Sequence, residues 1–336
     1  MIDWPKKTIL LTGGTGSFGR AFTEAMLEKY KPKTVRIFSR DELKQYEMAR
    51  HFHNSERLRF FIGDIRDKNR LERAMDGADI VIHAAALKQV PLCEYNPFEA
   101  VKTNIFGAQN IIDAAIDHNI EKVLAISTDK AVSPVNLYGA TKMCMEKLFI
   151  AGNAYVGGAR QTRMSCVRYG NVVGSRGSVI PLLQQQRPSG KITLTDQKMT
   201  RFWITLQQGV ELVIRSVEKM HGGEIFVPKI PSMKLVDLAH AIAPDCEIRY
   251  IGVRPGEKIH EALITQDEAR HTLEFDDFFV IQPEFPRWET NNWVGGRPLA
   301  SGFTYTSDTN EKWLTPTELR EMAEAYEDHT VWTAAA

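Results

Sequence analysis

Tyr138 and Lys142 form a residue pair that is well suited to moving a proton. They are four residues apart, so on a helix their side chains lie on one face. An ammonium beside a phenol can lower the pKa of that phenol and make it a usable base near neutral pH. The spacing predicts that Tyr138 is a general base assisted by Lys142, although such a two-residue match often arises by chance.

Thr128, Asp129 and Lys130 supply a second set of reactive groups just upstream. They follow an apolar run, residues 123–126, which predicts a buried strand. At its end, a hydroxyl, an acid and an amine would face the helix that carries Tyr138. Lys130 can act as a base only when neutral, so we expect burial and nearby cations to lower its pKa. The alternative is a structural salt bridge between Lys130 and Asp129.

Residues 12–19 form a glycine-rich turn, Thr-Gly-Gly-Thr-Gly-Ser-Phe-Gly, between a short apolar strand and a predicted helix. Glycines let the backbone approach a pyrophosphate, and the helix N-terminus offers N–H groups and a positive dipole end to the anion. The glycine spacing differs from the usual dinucleotide motif, and a tight turn without a ligand is the alternative. The residues predicted to hold a dinucleotide here are Gly13, Thr15, Gly16, Ser17, Phe18 and Gly19.

Length and composition limit the possible classes of protein. The 336 residues predict one large or two modest domains, and the zero net charge gives no reason to expect a nucleic acid or an anionic membrane as partner. The four cysteines are scattered without metal or redox spacing, which predicts reduced thiols and no metal site. Since no signal peptide and no membrane-spanning apolar run is visible, we expect a cytoplasmic protein without membrane contact.

The first half of the chain alternates short apolar segments with segments of helical periodicity. This pattern predicts an α/β protein with a doubly wound parallel sheet, a Rossmann fold, that binds ligands at the carboxyl ends of its strands. After Asn171 the pattern loosens, which predicts a smaller interwoven α/β substrate domain. We expect residues 1–170 and 202–228 to form the dinucleotide-binding domain, and residues 171–201 and 229–336 the substrate domain.

Longer motifs give the chain a family resemblance. They are residues 39–44 (Ser-Arg-Asp-Glu-Leu-Lys), 83–88 (His-Ala-Ala-Ala-Leu-Lys), 127–130 (Ser-Thr-Asp-Lys) and 254–258 (Arg-Pro-Gly-Glu-Lys). With the glycine-rich turn and the Tyr138–Lys142 pair, the chain resembles the extended short-chain dehydrogenase/reductase superfamily over nearly its whole length. Within it, the chain resembles the inverting UDP-N-acetylglucosamine 4,6-dehydratases, the PseB-like enzymes of pseudaminic acid biosynthesis. We expect a homo-oligomer.

Cofactor specificity is predicted from the end of the second strand, Ser39 and Arg40. An arginine there suits the 2′-phosphate of NADP, whereas NAD enzymes usually place a carboxylate at this point. Asp41 could contact a ribose hydroxyl or cap the next helix, and the cap is the favoured interpretation. The resemblance implies that Asp64 contacts the adenine. The other predicted cofactor-binding residues are Lys44, Ile65, Ala84, Ala85, Ala86, Lys88, Asn104 and Asn171, besides Tyr138 and Lys142. For Asn104 the alternative is helix packing.

A nucleotide sugar needs cations for its diphosphate, and arginine offers a planar fork of donors. Any single arginine could instead be an ordinary surface charge, and Lys88 could be a solvated lysine. The residues predicted to bind the sugar nucleotide are Lys88, Tyr138, Asn171, Arg176, Val179, Thr193, Arg201, Arg254 and Glu257.

The resemblance implies a three-step reaction on a UDP-N-acetylhexosamine. Tyr138, as phenolate, takes the 4-hydroxyl proton while hydride passes to NADP⁺; Thr128 hydrogen-bonds the reacting oxygen, and Lys142 lowers the tyrosine pKa and holds the nicotinamide ribose. Lys130 then removes the C5 proton, and Asp129 assists loss of the 6-hydroxyl as water. Hydride returns to C6, and reprotonation of C5 from the opposite face inverts that centre. The alternatives are a UDP-sugar 4-epimerase, which needs no acid–base pair at C5 and C6, and a non-catalytic NADP-binding module, which commonly lacks the tyrosine or lysine.

Overall fold

A large sheet forms the centre of the protein, in a computed structural model that describes residues 2–158, 160–173, 179–284 and 293–330. The strands in these ranges are β1 (Thr8–Thr12), β2 (Thr34–Ser39), β3 (Leu58–Ile62), β4 (Ile80–His83), β5 (Lys122–Thr128), β6 (Arg163–Tyr169), β7 (Asn171–Val172), β8 (Lys191–Leu194), β9 (Thr200–Ile204), β10 (Ile225–Pro228), β11 (Ser232–Lys234), β12 (Glu247–Tyr250), β13 (Ala262–Ile264), β14 (Thr272–Glu274), β15 (Phe278–Ile281), β16 (Arg297–Pro298) and β17 (Tyr305–Thr306).

Helices cover both faces of this sheet, and others belong to a second, smaller unit. Those in the described ranges are α1 (Ser17–Ala25), α2 (Glu42–His51), α3 (Lys68–Met75), α4 (Val90–Tyr95), α5 (Pro97–Val101), α6 (Gly107–Asp117), α7 (Leu137–Gly152), α8 (Val179–Gln186), α9 (Leu206–Lys219), α10 (Leu235–Ile242), α11 (Gln266–Ala269) and α12 (Pro316–Thr330). None of them, within the ranges that the structure describes, is both long and apolar enough to cross a bilayer.

The parallel part of the sheet has the strand order β3-β2-β1-β4-β5-β6-β10. Its central strands are apolar on both faces, and Ile9, Leu10 and Leu11 are fully buried, as in a sheet covered by helices on both sides. The chain winds outward in one direction from β1 to β3 and then in the other from β4. The ligand crevice of such a sheet lies at this reversal, between the carboxyl ends of β1 and β4. The predicted doubly wound fold is confirmed.

The sheet extends farther than the sequence predicted. The predicted division assigned residues 229–336 to a substrate domain, yet β15 pairs antiparallel with β10, and β14 and β16 follow it. Strand β15 is Phe-Phe-Val-Ile and is buried along its length. Without it, β10 would be an edge strand with unpaired backbone groups. This part of the chain therefore returns to cover the edge of the sheet.

A second unit stands over the carboxyl edge of the large sheet. Strands β7, β9 and β11 form one small sheet, and β8 pairs with β12. Helices α8 and α10 pack on them around a separate apolar cluster that includes Ile180, Leu183, Ile192, Trp203 and Leu238. This unit forms the wall of a cleft opposite the sheet.

Candidate active site

A cleft with a volume of about 1410 Å³ runs between the sheet edge and the second unit. It brings most of the predicted residues into one site. Those on its wall are Gly13, Thr15, Gly16, Ser17, Phe18, Gly19, Ser39, Arg40, Asp41, Lys44, Asp64, Ile65, Ala84, Ala85, Ala86, Lys88, Thr128, Lys130, Tyr138, Lys142, Asn171, Val179, Thr193, Arg201, Arg254 and Glu257. Asp129 and Asn104 lie behind the wall, and Arg176 lies outside the described residues.

The glycine-rich turn forms a cradle of bare backbone. Gly13 has a φ of +68°, and a Cβ on it would lie 2.8 Å from the backbone nitrogen of Ala85, which follows β4. Helix α1 begins at Ser17, and its N-cap residue, Gly16, provides no side-chain hydrogen bond to the first turn. The N–H groups at the start of α1 therefore point toward the cleft without a side-chain cap, which fits an anion such as pyrophosphate.

The end of β2 places Arg40 and Asp41 differently. Asp41 caps α2 by accepting a hydrogen bond from the backbone nitrogen of Lys44 at 3.0 Å, and it also pairs with the ammonium of Lys44. The predicted cap is confirmed. The Arg40 side chain is 57% exposed, with Nη1 3.7 Å from Oδ2 of Asp64. Burial raises the pKa of Asp64, but hydrogen bonds and charge from Arg66, with the charge of Arg40, bring it below its usual value.

Asn104 does not reach the cleft. Its Nδ2 donates to the carbonyl of Leu87 at 2.9 Å and to the hydroxyl of Thr141 at 3.0 Å, and its Oδ1 accepts from the backbone nitrogen of Leu87 at 2.8 Å. The residue is 1% exposed. It ties the loop after β4 to α7, so the structure shows the packing alternative rather than the predicted cofactor contact.

Helix α7 begins against the turn that carries Lys130. Its N-cap, Asn136, accepts a hydrogen bond from the backbone nitrogen of Gly139 at 2.7 Å. A Cβ on Gly139 would lie only 2.1 Å from the carbonyl oxygen of Lys130. A glycine is therefore needed for the first turn of α7 to approach the turn at Asp129–Ala131 so closely, and this approach sets Tyr138 beside Lys130.

The ammonium of Lys142 contacts the end of β5 in this structure. Its Nζ donates to the carbonyl of Ile126 at 2.5 Å and contacts the sulfur of Met145 at 3.0 Å, and burial lowers its pKa to about 8. Burial raises the pKa of Tyr138 to about 12, although the charge of Lys130 and a hydrogen bond with Thr128 favour the phenolate. Lys130 is thus a cation that favours the phenolate of Tyr138, and the action of Lys142 on Tyr138 stays a prediction.

Two carboxylates surround the ammonium of Lys130. Oδ1 of Asp129 accepts hydrogen bonds from the Thr128 hydroxyl at 2.8 Å and from Nζ of Lys130 at 3.1 Å, and Oε1 of Glu261 lies 3.5 Å from Nζ. Burial lowers the pKa of Lys130, but these two charges outweigh it and hold the pKa above its usual value. The prediction of a lowered pKa was wrong for this structure, because Arg201, the cation that opposes the carboxylates, lowers the Lys130 pKa by less than they raise it.

Sequence reasoning missed Glu261. It is 3% exposed and lines the cleft, with Oε1 3.9 Å from Nε of Arg201 and Oε2 3.7 Å from Nζ of Lys258. It lies just beyond the 254–258 motif, before β13. A single glutamate in front of a short strand is common in proteins, so its spacing gave no signal.

Three of the predicted substrate residues differ in whether their polar atoms are already bonded within the protein. Arg201 donates to the carbonyls of Thr200, Lys258 and Ile259 at 2.7–3.0 Å, so its guanidinium holds the segment before β13. Oδ1 of Asn171 and Oε2 of Glu257 are buried and have no hydrogen-bond partner among the described residues. Buried polar atoms are normally satisfied, so these two are suited to a polar ligand.

The fold and the site define the class of protein. A doubly wound sheet, a backbone cradle between β1 and β4 and a tyrosine–lysine helix at the sheet edge are the features of an extended short-chain dehydrogenase/reductase. The chain belongs to the family described as polysaccharide biosynthesis protein, which matches residues 9–283.

Three similar proteins carry different names. The chain is 52% identical over 326 residues to a Campylobacter jejuni protein named UDP-N-acetylglucosamine 4,6-dehydratase (inverting), covering 94% of this chain and 97% of the other. It is 46% identical over 283 residues to a Rickettsia conorii protein named UDP-glucose 4-epimerase, covering 82% of each. The X-ray structure of Pen from Bacillus thuringiensis matches with a TM-score of 0.88 and 39% identity, covering 97% of this chain and 99% of that one.

Proposed function

We propose that the protein is an inverting UDP-N-acetylglucosamine 4,6-dehydratase that recycles NADP and gives UDP-2-acetamido-2,6-dideoxy-beta-L-arabino-hex-4-ulose. The observation that carries the proposal is the ion pair of Lys130 with Asp129 beside Tyr138 in the cleft. Dehydration needs proton-transfer groups for C5 and C6 in addition to the base for the 4-hydroxyl, whereas 4-epimerisation does not. The 52% identity to the Campylobacter jejuni protein of that name supports it.

The cleft residues fit a nicotinamide dinucleotide. The cradle at Gly13, which a side chain would fill, and the start of α1 at Ser17 would hold the pyrophosphate. Asp64 would contact the adenine, and the exposed guanidinium of Arg40 would pair with a 2′-phosphate, which is why we propose NADP rather than NAD. Bound NADP⁺ supplies a hydride acceptor for C4 that can return the hydride to C6.

Tyr138 is the proposed base for the 4-hydroxyl. It must act as a phenolate; burial and the charge of Asp129 oppose that form, and its neighbours Lys130 and Thr128 favour it. Lys142 lies deeper in the same wall, where its ammonium can hold ribose hydroxyls of the dinucleotide. Tyr138 therefore takes the proton that leaves as C4 becomes a ketone, which makes the C5 proton acidic.

The Lys130–Asp129 pair can supply both groups for the second step. Moving one proton across the 3.1 Å contact from Nζ to Oδ1 gives a neutral amine and a protonated carboxyl. The amine then takes the C5 proton. Asp129 is fully buried, so its proton would reach the leaving 6-hydroxyl through the Thr128 hydroxyl, which lies 2.8 Å from Oδ1 and lines the cleft. The 6-hydroxyl departs as water.

A UDP-sugar 4-epimerase is the second candidate function, because the Rickettsia conorii relative carries that name at 46% identity. An epimerase of this class would use Tyr138 and the cofactor in the same way. It would leave the C5–H and C6–O bonds intact, so the pair at Lys130 and Asp129 would have no chemical task.

Incubation of the pure protein with UDP-N-acetylglucosamine in D₂O, read by NMR, separates these functions. We expect a 6-deoxy-4-keto product with deuterium at C5 and an inverted centre, formed without added NADPH and without a steady rise in the absorbance of reduced nicotinamide. UDP-N-acetylgalactosamine without deuterium would establish an epimerase. Stoichiometric accumulation of NADPH would establish a simple dehydrogenase. Unchanged sugar together with bound NADP would indicate a protein that binds NADP without catalysing a reaction.

A further inference from the structure

Glu261 is a buried carboxylate that lies among three cations. Its Oε1 lies 3.5 Å from Nζ of Lys130 and 3.9 Å from Nε of Arg201. Its Oε2 has no hydrogen-bond partner in the part of the chain that the structure describes, and Nζ of Lys258 is 3.7 Å away. Burying a charge is costly unless cations face it, and here three cations do.

Hydrogen bonds fix the backbone of Glu261 and the segment before it. The backbone nitrogen of Glu261 donates to the Ser307 hydroxyl at 2.9 Å, and its carbonyl accepts from the backbone nitrogen of Ser307 at 2.8 Å. Lys258, three residues earlier, donates to the carbonyl of Val132 at 2.5 Å, just after the turn that carries Lys130. The segment before β13 is therefore tied to that turn.

We propose that Glu261 is a positioning residue that holds the amine of Lys130 at the cleft and strengthens it as the base for C5. The inference rests on the proposed dehydratase function. Asp129 attracts the ammonium from within its own turn, and Glu261 attracts it from the segment before β13. When Nζ takes the C5 proton, the carboxylate already in place stabilises the charge that forms, without reorganisation.

The charged groups around Lys130 decide whether the loss of the Glu261 charge raises or lowers the proton affinity of Lys130. Asp129 and Glu261 favour the ammonium, and burial and Arg201 oppose it. Removing the charge of Glu261 should therefore lower the proton affinity of Lys130, which makes more of the amine neutral at a given pH but makes it a weaker base. The titratable or charged groups that face Lys130 are Asp129 in its turn, Glu261 before β13, Arg201 on β9, Lys88 after β4 and Tyr138 on α7.

The test compares Glu261→Gln, which removes the charge at the same size, with Glu261→Asp, which keeps it. Trace acetylation of the full-length protein at about pH 9, read by mass spectrometry, measures the neutral fraction of Lys130 relative to Lys6, whose side chain is 82% exposed. An opposite charge at this distance typically shifts a pKa by about 1–3 units. We expect Lys130 to label at least about tenfold faster in Glu261→Gln than in the wild-type protein. In Glu261→Asp the rate should be intermediate, and this variant provides the test if the glutamine variant fails to fold.

Glu268→Gln is the matched control. Glu268 is a carboxylate in a separate buried ion cluster, 2.9 Å from Arg168, so its loss should lower thermal stability without changing the labelling of Lys130. Wild-type labelling rates in both Glu261 variants, or slower labelling in Glu261→Gln, would overturn the inference.

Turnover gives a second readout, which reports the position of the amine. If the wild-type protein is a dehydratase, an amine no longer held at the cleft in Glu261→Gln should slow deuterium exchange at C5 about 100-fold although more of it is neutral, with a smaller loss in Glu261→Asp, while bound NADP⁺ is still reduced by substrate. Unchanged C5 exchange would refute the positioning role. If the wild-type protein makes no 6-deoxy product, the proposed function fails, and the labelling ratio still decides whether Glu261 sets the charge of Lys130.

Discussion

Gly139→Ala should separate catalysis from cofactor binding, because Gly139 is the contact point between α7 and the turn at Asp129–Ala131. An added Cβ would lie 2.1 Å from the carbonyl oxygen of Lys130, whereas ordinary contacts begin at 3.4 Å. The difference, 3.4 − 2.1 = 1.3 Å, is the distance by which α7 and the turn must move apart. Backbone atoms are on both sides, so no side-chain rotation can relieve the clash.

The size of the effect follows from that displacement. Misplacing reacting groups by about 1 Å can cost roughly 100-fold in rate, and Tyr138 and Lys130 lie on the two elements that separate. Overpacking at a tight contact costs about 1–3 kcal/mol of stability. The cradle at Gly13 lies elsewhere in the cleft and only Lys142 of the proposed ribose contacts moves with α7, so the affinity for NADPH should fall much less than the turnover rate.

Three measurements on one preparation test this reasoning. Formation of the 6-deoxy product gives kcat, fluorescence titration gives the affinity for NADPH, and urea unfolding gives the stability. Gly209→Ala is the control, because Gly209 also lies in a helix and a Cβ there meets nothing within 4 Å. That substitution should leave turnover unchanged and raise stability by up to about 1 kcal/mol. Wild-type turnover in a folded Gly139→Ala protein would refute the argument.

Three further outcomes are expected. Lys130→Ala should still reduce bound NADP⁺ when substrate is added but should lose C5 exchange at least about 100-fold, whereas Tyr138→Phe should block the reduction itself; near-normal exchange in Lys130→Ala would make the lysine structural. Arg40→Ala should remove most of a preference for NADP over NAD that is worth about 1.5–3 kcal/mol, and equal binding of both dinucleotides by the wild-type protein would contradict this. Burial lowers the pKa of His83 to about 3 from 6.5. Between these values the unfolded chain binds the extra proton, so the free energy of unfolding should rise with increasing pH, and drop as the pH is lowered, by up to about 1.4 kcal/mol per unit. Urea titrations of His83→Asn should lack this slope, and an unchanged slope would count against it.

The features that the sequence predicted well are encoded within short segments. The strand–turn–helix order around Gly13 and the separation of Tyr138 from Lys142 depend on local conformation, and the structure has both in the cleft. The cap at Asp41 is also local. Spacing along a strand or helix fixes which face a residue occupies, so such features can be inferred without knowledge of the rest of the chain.

The extent of the sheet depended on distant segments. Strand β15 consists of Phe-Phe-Val-Ile, which predicts a buried strand but does not say which neighbour it joins. Its pairing with β10 follows from the exposed edge that β10 would otherwise present. An edge of this kind exists only once the parallel strands have assembled.

The electrostatics of the site were decided by the tertiary structure alone. The sequence predicted a lowered pKa for Lys130, and this was wrong for this structure. Glu261, from a distant part of the chain, reaches Lys130 and helps raise its pKa, while Lys142 turns to the carbonyl of Ile126. A pKa depends on burial and on distances between charges in space, and the order of residues fixes neither until the chain has folded.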